Sequence, residues 1–256
     1  MPSLLSGLDR WLSPAPDPAR VGWLKGVTYA HRGLHGAGSA ENSPSAFTAA
    51  IEAGLGIECD VRLSADGHAI VFHDHDLDRL TDRTGPLALR TMAELGQIAL
   101  PPAPEDTIPP LAVLLARIAG RTPLLIELKT DREEPVAPLC RAVLRDTDGY
   151  HGLYAVMSFD SRVSRWFSRN APGVVRGLVI SETHGDGSNP RASLWHARPD
   201  FLAYDVRDLP SAFAAAQRAR GLPVLTWTVS SPELRQLAQN HADGPIAEAA
   251  GVSSQT

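Results

Sequence analysis

Between residues 31 and 74 the chain carries His31-Arg32-Gly33, Glu41-Asn42-Ser43, Glu58-Cys59-Asp60 and His73-Asp74, and further on it carries Glu127-Leu128-Lys129. Two imidazoles can exchange protons near neutral pH, clustered carboxylates can hold a hard cation, and an arginine fork matches phosphate oxygens. Together these capacities suggest metal-assisted cleavage of a phosphate ester. His31 alone would read as a structural histidine. Arg32-Gly33 beside it adds a bidentate anion donor and a residue that lets the backbone approach closely.

These residues need elements to bring them together. Short apolar runs alternate with helix-like stretches, the signature of a parallel sheet with covering helices, and the expected fold class is α/β. The strands are expected at Val27–Ala30, Gly56–Leu63, Leu124–Leu128, Tyr154–Phe159, Val174–Ile180, Phe201–Val206, Pro223–Val229 and Gly244–Ala247. Eight such strands close a TIM (β/α)8 barrel. Helical composition covers 41–53, 111–119, 134–146, 159–169, 210–220 and 232–240, and Ser231-Pro232 reads as an N-cap followed by proline at the first helical position.

A ninth run, Ala69–Phe72, follows the second strand too soon for a parallel crossover and must return antiparallel as a hairpin. With Asp66-Gly67 as a two-residue turn, Asp60 is expected opposite His73 and Arg62 opposite Val71, about 5 Å apart between Cα atoms. Residues 76–110 form the longest stretch outside the strand and helix pattern. They read as either a structured insertion over the barrel mouth or a plain connecting loop.

Catalytic groups of such barrels sit at the C-terminal strand ends. His31 and Arg32 leave the first strand, Glu58 and Asp60 lie late in the second, and Glu127 and Lys129 end the third. Glu58 and Asp60 share a face, as do Glu127 and Lys129, because strand side chains alternate. The three carboxylates suit a divalent cation, with a buried ion-pair network as the other reading. In the same alternation Cys59 points away from the acids and reads as a buried, inert thiol. His73-Asp74-His75 could suggest zinc, but a zinc barrel hydrolase carries its paired histidines after the first strand and more after later ones. His75 is therefore read as a loop residue.

With 256 residues, 43% of them hydrophobic, the chain can bury a substantial core in one domain. The net charge of -5 gives no global reason to expect a nucleic-acid partner. No apolar run approaches a membrane span. Cys59 and Cys140 form no disulfide or zinc pattern and suggest a reducing compartment, so a cytoplasmic location is the default. Leu4, Leu5, Leu8, Trp11 and Leu12 fall at helical spacing without a signal-peptide pattern, and this short helix is expected to pack on the main domain. Three prolines within 13–20 read as a linker. The expected organisation is a short helix and Pro-rich linker at 1–20, a barrel domain at 21–250 with an insertion at about 76–110, and a tail at 251–256.

The ordered set His31-Arg32-Gly33, Glu41-Asn42-Ser43 with Ala46-Phe47, Glu58-x-Asp60-Val61, Asp66-Gly67, Val71-x-His73-Asp74, Glu127-Leu128-Lys129 and Trp227-Thr228-Val229 resembles the glycerophosphodiester phosphodiesterase family. Single pieces are weak, but the order over residues 28–229 is specific. The resemblance implies a barrel of the phosphatidylinositol phospholipase C type and a divalent metal, Mg²⁺ or Ca²⁺, on Glu58, Asp60 and Glu127. It also implies His31 and His73 as the acid/base pair, Arg32 and Lys129 on the phosphate, and a structured insertion after His73. Trp227 stacks on the glycerol or head group in this reading, or else packs in the barrel core. Phe159 and Trp195 have weaker claims.

The chain departs from the family pattern at 241–248, where Pro245 weakens the last strand as a regular inner strand. The expected reaction is hydrolysis of a small glycerophosphodiester to an alcohol and glycerol 3-phosphate. The alternatives are a lysophospholipase D-type phosphodiesterase and a non-catalytic barrel that binds phosphorylated metabolites.

Overall fold

The second strand shows how local sequence sets this architecture. Gly56–Leu63 is an eight-residue run whose first six residues are buried, and buried neighbours on both sides suit a parallel inner strand. A computed structural model describes residues 4–183, 187 and 189–252. The start of the N-terminal segment, the side chains of Leu4 and Leu5, and the tail beyond residue 252 lie outside what is described. The chain separates into two compact units, 29–154 and 1–28 with 155–256.

In the first unit, β1 (Tyr29–Ala30) pairs parallel with β2 (Gly56–Leu63), and β2 pairs parallel with the strand at Leu124–Leu128. Between them lie β3 (Ala69–Val71), β4 (Ala99–Leu100) and β5 (Ala103–Thr107), which makes Leu124–Leu128 β6. Helices Pro44–Glu52, Leu111–Ile118 and Ala137–Asp146 belong to this unit. Ser43 accepts from the Ala46 amide ahead of Pro44, a good helix start.

β3 returns antiparallel to β2 as expected, but the register differs by one residue. Val61 faces Val71, Arg62 faces Ile70 and Leu63 faces Ala69, so Asp60 does not face His73. The Asp60 carbonyl instead accepts from the Phe72 amide at 3.0 Å. The reason lies in the turn. Ser64 pairs with His68 around a three-residue loop, Ala65-Asp66-Gly67, with Gly67 at φ 79°, rather than around a two-residue turn.

Residues 76–110 form a structured insertion rather than a plain connection. They contain the one-turn helix Met92–Leu95 with a Thr91/Glu94 capping box, and the antiparallel pair β4–β5. Leu77, Leu87, Leu95, Ile98, Leu100 and Ile108 bury a small core against Ile70 and Phe72. Asp106 accepts from the Ser45 amide at 3.2 Å and so ties β5 to the start of helix Pro44–Glu52.

The second unit holds β7 (Tyr154–Ser158, whose first residue falls at the boundary), β8 (Val175–Ile180), β9 (Phe201–Asp205), β10 (Val224–Val229) and β11 (Gly244–Ala247). Each pairs parallel with the next. Helices Ser161–Asn170, Pro190–Ala197, Ala212–Ala219 and Pro232–His241 alternate with them. The last strand forms despite Pro245, and its register against β10 shifts between Thr226 and Val229, the irregularity expected of proline in a ladder.

The helix at Pro190–Ala197 was not among the expected elements. Its start signal is nevertheless present, since Asn189 caps the Arg191 and Ala192 amides ahead of Pro190. The linker also contains a turn of helix, Pro18–Val21, capped by Asp17. Among the described residues, eight parallel strands alternating with helices, with the antiparallel hairpin strand β3 and the separate antiparallel pair β4–β5, make this an α/β fold of the TIM (β/α)8 barrel class.

Candidate active site

The parallel register of β2 and β6 assembles the acidic centre. Asp60 faces Glu127 across the ladder, and Glu58 lies two residues earlier on the same face of β2. Adjacent strands are about 4.8 Å apart, so three carboxylates meet in a few ångströms. One donor oxygen from each of Glu58, Asp60 and Glu127 lies within 4.8 Å of the others, and all three residues are buried.

Two cations compensate part of this charge. Lys129 ends the same strand as Glu127, and its Nζ lies 3.1 Å from Asp60 Oδ1 and also pairs with Glu127. Arg32 Nε sits 3.1 Å from Asp60 Oδ2, and its backbone amide donates to Glu58 Oε2 at 3.0 Å. Arg32 adopts φ 55° to make this approach, and Gly33 follows at φ 80°. A Cβ on Gly33 would lie 3.0 Å from both Ala46 and Phe47, so glycine lets the loop pass helix Pro44–Glu52 without crowding.

Asn42 completes the acidic centre. It is fully buried at φ 57°, donates from Nδ2 to Asp60 Oδ2 at 3.0 Å and accepts from the Asp60 amide at 3.2 Å. Sequence reasoning gave Asn42 no role. The signal was its residue type, because asparagine tolerates the left-handed conformation and offers both a donor and an acceptor.

Electrostatics divides the three acids. Burial raises the Glu58 carboxyl well above its usual range, and the neighbouring Asp60 and Glu127 add to this. Glu127 is also raised by burial, against the opposing pull of Lys129. Burial acts on Asp60 in the same direction, but Lys129 and Arg32 hold it far below the ordinary value. Lys129 stays firmly protonated because Asp60 and Glu127 outweigh its burial. Glu58 Oε1 is buried with no hydrogen-bond partner. An orphaned carboxylate oxygen among three converging acids fits a divalent cation and leaves the centre incomplete as an ion-pair network alone.

The histidines flank this centre. His31 follows β1 and is half-buried. His73 follows β3. Its carbonyl accepts from Arg62 Nε at 2.7 Å, and its Nδ1 lies 2.6 Å from Asp74 Oδ1. Burial lowers His73 below the ordinary imidazole value, with Lys129 and Arg32 acting in the same direction against Asp60, so it is neutral at neutral pH. The structure thus brings His31, Arg32, Glu58, Asp60, His73, Glu127 and Lys129 into one unit. The His75 ring pairs with its neighbour Asp76, Nδ1 lying 2.9 Å from Oδ1 among exposed atoms, and its carbonyl accepts from the Leu87 amide.

Sequence also singles out Cys59, Trp227 and Trp195. Cys59 is buried, and burial pushes its thiol well up, as an inert packing residue requires. Trp227 belongs to the second unit, where its Nε1 donates to the Ala203 carbonyl at 3.0 Å and its ring meets Phe159 edge-on at 5.3 Å. Trp195 serves the N-terminal helix, donating to Asp9 at 2.8 Å.

Comparison with known proteins places this geometry. The sequence profile described as the glycerophosphoryl diester phosphodiesterase family matches residues 31–251. YhdW of Bacillus subtilis, which is named for glycerophosphodiester phosphodiesterase activity, is 26% identical over 213 residues, covering 79% of this chain and 85% of the relative. The glycerophosphodiester phosphodiesterase of Thermotoga maritima superposes with a TM-score of 0.70 at 26% identity, over 86% of this chain and 94% of that one. A phosphodiesterase of Oleispira antarctica, solved with its product sn-glycerol-3-phosphate, superposes with a TM-score of 0.78 at 24% identity, covering 88% and 93%.

Proposed function

The chain belongs to the glycerophosphoryl diester phosphodiesterase family and is a phosphoric diester hydrolase, and on that premise we propose that it cleaves small glycerophosphodiesters to an alcohol and glycerol 3-phosphate. The observation that carries the reading is the buried carboxylate triad with its orphaned oxygen, flanked by two histidines and two cations within one unit. Glu58, Asp60 and Glu127 would hold Mg²⁺ or Ca²⁺, and the bound ion would supply charge neutralisation at the phosphodiester oxygens.

In this reading Arg32 and Lys129 bind and orient the phosphate, since both are held charged by the acids around them. One imidazole takes the proton of the attacking hydroxyl as its oxygen bonds to phosphorus and the P–O bond to the leaving alcohol breaks; water as attacker gives glycerol 3-phosphate directly, whereas the glycerol's own hydroxyl gives a cyclic phosphate that a water then opens. The other returns a proton to the alcohol oxygen. His73, neutral with Nδ1 engaged by Asp74, is prepared to accept a proton at Nε2. Both cysteines are buried and form no metal pattern, which suits a reducing compartment and so the cytoplasm as its place of action.

The test is a substrate panel of glycerophosphocholine, glycerophosphoethanolamine and lysophosphatidylcholine, run with EDTA and with added Mg²⁺ or Ca²⁺. Metal-stimulated release of glycerol 3-phosphate from the first two is expected. Turnover of the lysolipid alone would reject the substrate class, and tight phosphate binding without hydrolysis would reject catalysis. His31→Ala and His73→Ala should each lower turnover by about 10²–10⁴-fold. Smaller losses in both would reject the two-histidine scheme.

A further inference from the structure

Arg79 lies in the insertion, and about half of its side chain is exposed. A residue so placed would ordinarily make a weak surface ion pair, worth at most about 1 kcal/mol. Its guanidinium is instead committed to two carboxylates at once. Nε and Nη2 donate to Asp74 Oδ2 and Oδ1 at 2.6 and 3.0 Å, while Nη1 and Nη2 donate to Glu41 Oε2 and Oε1 at 2.9 and 2.7 Å. Both grips are bidentate, a geometry that the planar arginine fork supplies and a lysine ammonium does not.

Each carboxylate holds a second group on its far side. Asp74 Oδ1 lies 2.6 Å from His73 Nδ1, and Glu41 Oε1 accepts from Arg32 Nη1 at 2.6 Å. A continuous chain of charge-assisted contacts therefore runs His73, Asp74, Arg79, Glu41, Arg32. Its two ends are the group read as a proton carrier and the group read as a phosphate ligand.

We propose that Arg79 is a positioning residue of the active site, clamping Asp74 against His73 and Glu41 against Arg32 so that imidazole and guanidinium are held in one fixed arrangement. The proposal rests on the phosphodiesterase reading of His73 and Arg32. The chemical consequence is clearest at His73. Arg79, the largest influence on Asp74, holds that carboxyl down to about 2, so it is ionised and accepts from the imidazole. A carboxylate acceptor at Nδ1 fixes the proton there and leaves the lone pair on Nε2. Without Arg79, Asp74 is free to swing toward solvent and the tautomer is no longer imposed. On the other arm, Glu41 would keep Arg32 as its remaining side-chain partner among the described residues, and the phosphate-binding fork would lose its brace.

The experiment uses the full chain with a divalent cation present, labelled with ¹⁵N-histidine and read at about pH 8, where a lowered imidazole is neutral. His73→Gln assigns the His73 nitrogens. The wild type is expected to show a protonated Nδ1 and a bare Nε2. In Arg79→Gln the two shifts should converge as the tautomers mix, and kcat on glycerophosphocholine should fall about 10–100-fold, as when a histidine loses its orienting partner. Asp74→Asn should reproduce the His73 signature. Arg79→Lys, able to reach one carboxylate at a time, should give an intermediate kcat. A His73 spectrum in Arg79→Gln that matches the wild type, or a kcat within about twofold of it, overturns the proposal. If His73→Gln itself turns over like the wild type, the acid/base reading fails, and the nitrogen shifts alone decide what Arg79 does.

Discussion

Glu58 sits in an unbalanced environment. Its carboxyl is raised by burial and by two neighbouring acids, one oxygen accepts from the Arg32 amide, and the other accepts nothing. Removing its charge should therefore have opposite effects with and without metal. Glu58→Gln keeps the shape and an acceptor for the Arg32 amide and relieves repulsion from Asp60 and Glu127. The metal-free protein should melt at the same temperature as the wild type or above it. Added Mg²⁺ or Ca²⁺ should raise the wild-type midpoint, by about 2.7 kcal/mol of stability at a hundredfold excess over Kd, and leave Glu58→Gln unmoved. Metal-stimulated turnover should fall by more than about 10–100-fold, the loss usual for a mere outer-shell partner. Equal metal-induced shifts in both proteins, followed by melting in EDTA and in metal, would remove Glu58 from the cation site.

At the scale of elements, the segment from β1 to helix Pro44–Glu52 is closely built. Arg32, Gly33 and Asn42 all take positive φ, and Gly33 passes within contact distance of Ala46 and Phe47. Gly33→Ala should cost about 1–3 kcal/mol in denaturant unfolding, from left-handed strain with added crowding, and should lower turnover by displacing Arg32. Unchanged unfolding would mean that the loop relaxes without loss. The same segment shows what a sequence can reveal. Glu58, Asp60, Glu127 and Lys129 could be placed together because strand alternation and the strand-end rule depend only on position along a strand. The partnership of Asp60 with His73 could not be fixed, because one extra loop residue, Ala65, moves every pair across the hairpin. Asn42 and Arg79 act through contacts between segments distant in sequence, and no periodicity encodes those. Helix Pro190–Ala197 escaped notice because it buries only Leu194 and Ala197, too few for a visible stripe.

At the scale of the whole molecule, both units contain carboxylates held below their ordinary values, which makes the protein's stability depend on pH in acid. In the first unit Asp74 is lowered from 3.8 to about 2, chiefly by Arg79. In the second, burial works against ionisation of Asp9, but Gln217, Trp195 and Arg191 outweigh it and hold the carboxyl below 3.8. Asp9 is the anchor of helix Leu4–Leu12. Its oxygens accept from Arg191 Nε at 3.1 Å, Trp195 Nε1 at 2.8 Å and Gln217 Nε2 at 3.0 Å, while Trp11 stays 78% exposed. The helix thus packs as expected, but through a buried acid rather than through Trp11. A depressed folded value contributes stability that is complete above about pH 4 and drains away as pH falls through the folded value. Thermal melts should therefore show a midpoint that drops between about pH 4 and pH 2. Asp74→Asn should cost about 1 kcal/mol at pH 7, discounted for its partial exposure, and Asp9→Asn about 1–2 kcal/mol for its charged hydrogen bonds. Each variant should show a shallower acid decline than the wild type, because the titrating group has gone. The two carboxylates share no partner, so the double variant should lose the sum of the single costs within about 0.5 kcal/mol. An acid decline as steep in the double variant as in the wild type would assign the pH dependence to other groups.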